Sequence, residues 1–141
     1  MKQLIVIALV AATATEVQAQ KINATKVPAS VKVAFTKQYP GITAKWEKED
    51  GKYEAGFTQN GHIMSATYQP NGSLTEAEID IAITELPAGA TAYVKINYKG
   101  KRIKAAAKIT KADGSINYEA EVNGKDVIFD ADGKFLKEVN G

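Results

Sequence analysis

Residues 27–41 read VPASVKVAFTKQYPG, and residues 86–100 read LPAGATAYVKINYKG. The second stretch repeats the first at an offset of 59 residues, so Val27, Pro28, Ala29, Val31, Ala34, Phe35, Tyr39 and Gly41 fall on Leu86, Pro87, Ala88, Ala90, Tyr93, Val94, Tyr98 and Gly100. In the first copy Val27, Val31, Ala34, Phe35 and Tyr39 follow the i, i+4, i+7, i+8 spacing of one apolar helix face. Pro28 suits the first helical position, where its missing N–H is not needed, and Pro40-Gly41 stops the helix. The second copy keeps the stripe. Its Gly89 and the β-branched Thr91, Val94 and Ile96 lower helix propensity, so packing must hold it.

Each helix is followed by turn signals of the Asn-Gly or Asp-Gly type, which supply the positive φ of tight hairpins. They are Asp50-Gly51, Asn60-Gly61 and Asn71-Gly72 after the first helix, and Asp113-Gly114, Asn123-Gly124 and Asp132-Gly133 after the second. Three turns imply four strands per unit. Those of the first unit are predicted over 43–49, 52–59, 62–69 and 73–83, and those of the second over 103–111, 116–123, 125–130 and 134–139. Alternation puts Ala44, Trp46, Tyr53, Ala55 and Phe57 on one face, and Lys45, Glu47, Glu49, Lys52 and Glu54 on the other. In the second unit Ile103, Ala105, Ala107 and Ile109 are predicted to face the helix, away from Lys104 and Lys108. One sheet face is then apolar under the helices and the other polar and free, as in antiparallel sheets packed on one side. The predicted fold is α+β: a tandem repeat of two units, each one helix on a four-stranded antiparallel sheet, joined into a larger curved sheet. The repeats span 20–85 and 86–141 and form one body, since a half of about 60 residues is marginal alone. Gln20–Lys26 reads as an exposed polar lead-in, with Ile22 expected to dock because Ile81 lies 59 residues later in the same relation to the second helix start.

Residues 1–19 read as a signal peptide. Lys2 gives a short basic start, Leu4–Ala12 is wholly apolar, and Val17-Gln18-Ala19 is a cleavage site of small or modest residues. The apolar run is less than half of what a membrane-spanning helix needs. The protein is therefore expected in the periplasm or secreted, and no cysteine exists to carry a lipid anchor, a disulfide or a thiolate site. The 18 Lys+Arg nearly balance 16 Asp+Glu. Arg102 is the single arginine, and lysine and glutamate interleave, which argues against nucleic-acid binding.

These residues resemble a known family. Val27-Pro28-Ala29, Val31, Tyr39-Pro40-Gly41, Lys45-Trp46-Glu47 and Asp50-Gly51-Lys52-Tyr53-Glu54 resemble the PepSY-like, beta-lactamase-inhibitor-like exported bacterial proteins. In the second unit the same pattern appears as Asp113-Gly114, Tyr118-Glu119-Ala120-Glu121-Val122 and Phe129-Asp130-Ala131-Asp132-Gly133-Lys134. The resemblance covers 22–141, and its motifs are turns, helix starts and core aromatics. It implies tandem helix-on-sheet units whose concave sheet face, in the inhibitor that gives the family its label, grips an enzyme. The disulfides of that inhibitor are absent here, and likeness of fold is a weak warrant for function.

No catalytic constellation stands out. His62, the one histidine, sits beside the Asn60-Gly61 turn, and Ser65 is near it only in sequence, so neither a triad nor a transition-metal site is expected. Asp130-Ala131-Asp132-Gly133 opens like a calcium loop but lacks the closing glutamate, and it reads as a hairpin turn. No cofactor and no metal is expected, and the protein is read as a non-enzyme. The leading reading is a binding module that docks an exported or envelope protein on its free sheet face, as an inhibitor would, through Glu47, Glu54, Lys104, Glu119 and Glu121. The alternative is a small-ligand carrier with a cavity between helices and sheet near Trp46, whose place in the second unit is taken by a small residue, Ala105 or Ala106.

Overall fold

The computed structural model describes residues 19–140. The expected signal peptide lies outside these residues except for Ala19. The fold is α+β, with two helices and nine strands among the described residues, and the chain divides into two compact units between Ala77 and Glu78. No helix among the described residues is long and apolar enough to cross a membrane.

The first unit begins with β1 (Gln20–Ile22), α1 (Ala29–Gln38), β2 (Lys45–Glu49), β3 (Lys52–Gln59) and β4 (His62–Tyr68), and runs into β5 (Leu74–Ile81). The strands lie antiparallel in chain order from β1 to β4. The lead-in is exposed as expected apart from Ile22, but part of it forms β1, which corrects the expectation of four strands in the first unit. Gln20–Ile22 pairs with Trp46–Lys48, and Ile22 packs against the first core. The stretch is short and polar at two of three positions, so alternation alone had too little length to mark it as a strand.

Pro28 is the N-cap residue of α1, and its carbonyl accepts from the Val31 and Lys32 amides. Val31 and Phe35 point inward and meet Trp46, Tyr53, Ala55, Phe57, Ala66 and Tyr68 from the strands. Phe35 sits edge-on to Trp46 at 5.4 Å and to Phe57 at 5.2 Å, the tilted geometry that aromatic quadrupoles favour. The β4–β5 turn closes onto the helix start. Ser30 Oγ donates to the Pro70 carbonyl at 2.6 Å, and Gly72 lies against the Ser30 carbonyl with φ +89°.

The second unit contains α2 (Ala88–Asn97), β6 (Ile103–Lys111), β7 (Ile116–Val122), β8 (Lys125–Asp130) and β9 (Phe135–Asn140), with β6–β9 antiparallel in chain order. Its core joins Leu86, Ala90, Val94, Ala106, Ala120, Val122, Val127 and Phe129. Where the first core has Trp46, the second has Ala106, and it carries instead the stacked pair Tyr93–Phe135 at 4.6 Å. Gly89 also has a packing reason, because a Cβ there would stand 3.1 Å from the Gly133 carbonyl.

One predicted face is corrected. The β6–β7 register shifts between Ile103 and Ala105, and a bulge of one residue reverses the alternation beyond it. Ala106 therefore joins the helix side with Ile103. Ala105, Ala107 and Ile109 stand opposite Glu121, Glu119 and Asn117, away from the helix. Ala107 and Ile109 are nonetheless buried.

Candidate functional site: an acidic cleft in the first unit

The hairpin turns decide which carboxylates meet. Asp50 and Gly51 both have positive φ, the signature of a two-residue hairpin loop. That loop sets Glu49 opposite Lys52 and Glu47 opposite Glu54. The Asn60-Gly61 turn has the same character and sets Glu54 opposite Thr67. One row across the helix-free face is thus Lys21–Glu47–Glu54–Thr67. Like charges directly opposite one another destabilise a sheet, so this row is an anomaly in an otherwise consistent fold.

The row opens into a small cleft. Glu47, Glu49 and Glu54 line it from β2 and β3, Thr75 and Glu76 from β5, and Thr67 from β4, with Asp50 and Lys52 at the turn. Its volume is about 30 Å³. Burial pushes the Glu54 carboxyl up to about 8, with the charges of Glu47, Glu49 and Glu76 adding to the rise. Glu49 is also raised, by burial first and then by Glu47 and Asp50. Thr67 is 7% exposed. Its hydroxyl is near enough to Glu54 to moderate the rise, yet it makes no hydrogen bond of normal geometry, and neither does that of Thr75.

The expected polar face is only partly free, although lysines do interleave with its acids, Lys21 opposite Glu47 and Lys52 opposite Glu49. Ser65 and Thr67 on that side of β4 are buried, and Glu54 has an acid rather than a lysine as its β2 neighbour.

The remaining expected site residues fall elsewhere. Glu121 stands opposite Asp126 across β7–β8, a second like-charge pair. Burial, and then Glu121, raise Asp126 to about 6. Glu119 lies on the same face, opposite Ala107 and Ile128. Lys104 sits at the β6 bulge and is exposed. Trp46 is 7% exposed, packed within the first core. His62 lies exposed at the start of β4. Asp130 Oδ1 accepts from the Asp132 and Lys134 amides, each at 2.9 Å, so this carboxylate closes its own turn. Sequence reasoning missed Thr67, Thr75, Glu76 and Asp126.

Comparison with known proteins places the chain in a family. The model described as "Putative beta-lactamase-inhibitor-like, PepSY-like" matches residues 13–75 and 51–137. Among solved structures, the chain is similar to one titled a putative periplasmic protein from Bacteroides eggerthii, with a TM-score of 0.71 at 19% identity, covering 81% of this chain and 88% of that one. A DUF2874 family protein from Bacteroides ovatus matches with a TM-score of 0.68 at 20% identity over 80% and 86% of the two chains. A BLIP-like protein from Bacteroides fragilis matches with a TM-score of 0.63 at 25% identity over 81% and 89%. No curated protein matches the chain. The two overlapping family matches span both helices and nearly every strand, and on them the chain belongs to the PepSY-like, beta-lactamase-inhibitor-like family.

Proposed function

We propose that the protein is an exported, non-enzymatic binding module that docks a partner protein through the helix-free sheet face of its first unit. The observation that carries this reading is the Glu47–Glu54 opposition, within a cleft that also holds Glu49 and Glu76. A sheet gains nothing from facing carboxylates. Local conflicts of this kind are where folds give up stability for function. Below about pH 8 a proton on Glu54 relieves the conflict, and a cationic partner group takes that proton's place on binding. The similarity to a BLIP-like protein and to a periplasmic one fits a protein that acts on other exported proteins, and inhibition of an enzyme is one form of such docking.

The test is retention of envelope proteins on the immobilised chain from Gln20 onward, beside Glu47→Lys and Glu121→Lys variants. The expected result is a partner held at low salt, released at high salt because the contact is between charges, and bound at least tenfold more weakly by Glu47→Lys than by Glu121→Lys. Equal retention by the wild type and Glu47→Lys overturns the reading.

A further inference from the structure

The cleft is small and rich in acidic and hydroxyl side chains, and these properties together restrict what enters it. A volume of about 30 Å³ has room for a group the size of one or two waters, which excludes a sugar, a nucleotide or a planar guanidinium. Glu47 and Glu49 face it from β2, Asp50 from the turn, and Glu54 from β3. From β5 come Glu76 and Thr75, and from β4 comes Thr67. Lys52 is the one cation of the lining, and it stands opposite Glu49 at the turn end of the strands. A hard metal ion needs six or more oxygens drawn tightly around it. No three of the acidic or histidine side chains among the described residues converge in that way.

The second observation is independent of the charges. The Thr67 hydroxyl is buried with the residue 7% exposed, lines the cleft, and makes no hydrogen bond of normal geometry, and the hydroxyl of Thr75, also in the lining, makes none either. Buried hydroxyls are ordinarily paired. Two such oxygens next to carboxylates offer acceptors to a compact donor.

We infer that the cleft receives the primary ammonium of a lysine side chain from the partner, with Thr67 and the carboxylates of Glu47 and Glu54 as acceptors. This inference rests on the docking reading above. An ammonium is a compact point charge with three donors on a slim stem, which matches the room and the acceptors. Because Glu54 holds its proton up to about pH 8, entry of the cation is coupled to proton release, and binding tightens as pH rises toward that value.

The probes are acetyl-Gly-Lys-Gly-amide, its arginine analogue and its Nε-acetyl-lysine analogue, added to the labelled chain from Gln20 onward and followed by amide NMR shifts at fixed ionic strength. The lysine peptide is expected to shift the amides of Glu47, Glu54 and Thr67 saturably. Its affinity is expected to rise by up to about tenfold per pH unit between pH 6 and 7.5. The other two peptides bind at least tenfold more weakly, and Glu54→Gln loses the pH dependence. Absence of saturable shifts, equal binding of the arginine peptide, or unchanged pH dependence in Glu54→Gln overturns the inference. So does saturation of the same amides by calcium in place of the peptide. If the peptide fails while partner retention still depends on Glu47, the ammonium is wrong and the docking reading stands. If retention ignores Glu47 as well, both fall.

Discussion

Glu54→Gln is expected to stabilise the protein at pH 9 by about 2–5 kcal/mol, at about 1.4 kcal/mol for each tenfold change in proton affinity, and to leave it nearly unchanged at pH 5. The folded state holds the Glu54 carboxyl up at about 8, against 4.5 for an unconstrained glutamate. The folded chain therefore keeps a proton that the unfolded chain releases. A raised carboxyl contributes stability that is complete below pH 4.5 and is lost as pH climbs through 8. Asp126, raised to about 6, adds a smaller loss of the same sign at lower pH in the second unit. Wild-type unfolding free energy from urea titration should fall steadily between pH 5 and 9. The glutamine variant, which mimics the protonated side chain, should retain only the part belonging to Asp126 and the other acids. Parallel curves for the two proteins would mean that Glu54 is solvated like any surface glutamate.

The second large effect is expected at the turns that clasp the helix starts. Gly72→Ala places a Cβ 2.6 Å from the Ser30 carbonyl oxygen at φ +89°. The dihedral alone costs about 1–2 kcal/mol, and displacing a helix start to relieve the overlap adds about 1–3 kcal/mol. The total is about 2–5 kcal/mol. Gly133→Ala should behave alike in the second unit, where the Cβ would meet the Ala90 amide nitrogen and the Pro87 Cβ at 2.9 Å. Gly61→Ala is the control, since its φ is +79° but nothing lies within 4 Å, so only the dihedral cost remains. Urea midpoints for the three variants separate a clash from a backbone preference. Equal losses at all three positions would refute the clasp.

Much of this architecture was legible in the amino-acid sequence because it rests on local rules. The 59-residue repeat located both helices, and the structure puts them at Ala29–Gln38 and Ala88–Asn97. The Asn-Gly and Asp-Gly dipeptides located the turns. The apolar face of the first unit followed from alternation, and Trp46, Tyr53, Ala55 and Phe57 all joined the first core. β1 escaped because three residues carry too little pattern. The faces of β6 escaped because a bulge, invisible to strict alternation, moved Ala106 inward and Ala105 outward.

The cleft was half legible. Glu47 and Glu54 were singled out, but as members of a solvated surface. Their opposition could have been computed, because a two-residue loop at Asp50-Gly51 forces Glu49 opposite Lys52 and hence Glu47 opposite Glu54. The loops at Asn60-Gly61 and Asn123-Gly124 likewise force Glu54 opposite Thr67 and Glu121 opposite Asp126. The signal lay in register rather than in composition. Burial of that face, and the approach of Thr75 and Glu76, depend on tertiary packing and have no local signature.

The most direct measurement is an NMR titration of the Glu54 side-chain carboxyl carbon from pH 4 to 10. A midpoint near 8, falling when Glu47 is replaced by glutamine, is what a cleft of opposed, partly buried carboxylates requires. A midpoint near 4.5, unmoved by Glu47→Gln, would show that the face is solvated and that its acids hold nothing in store for a cation.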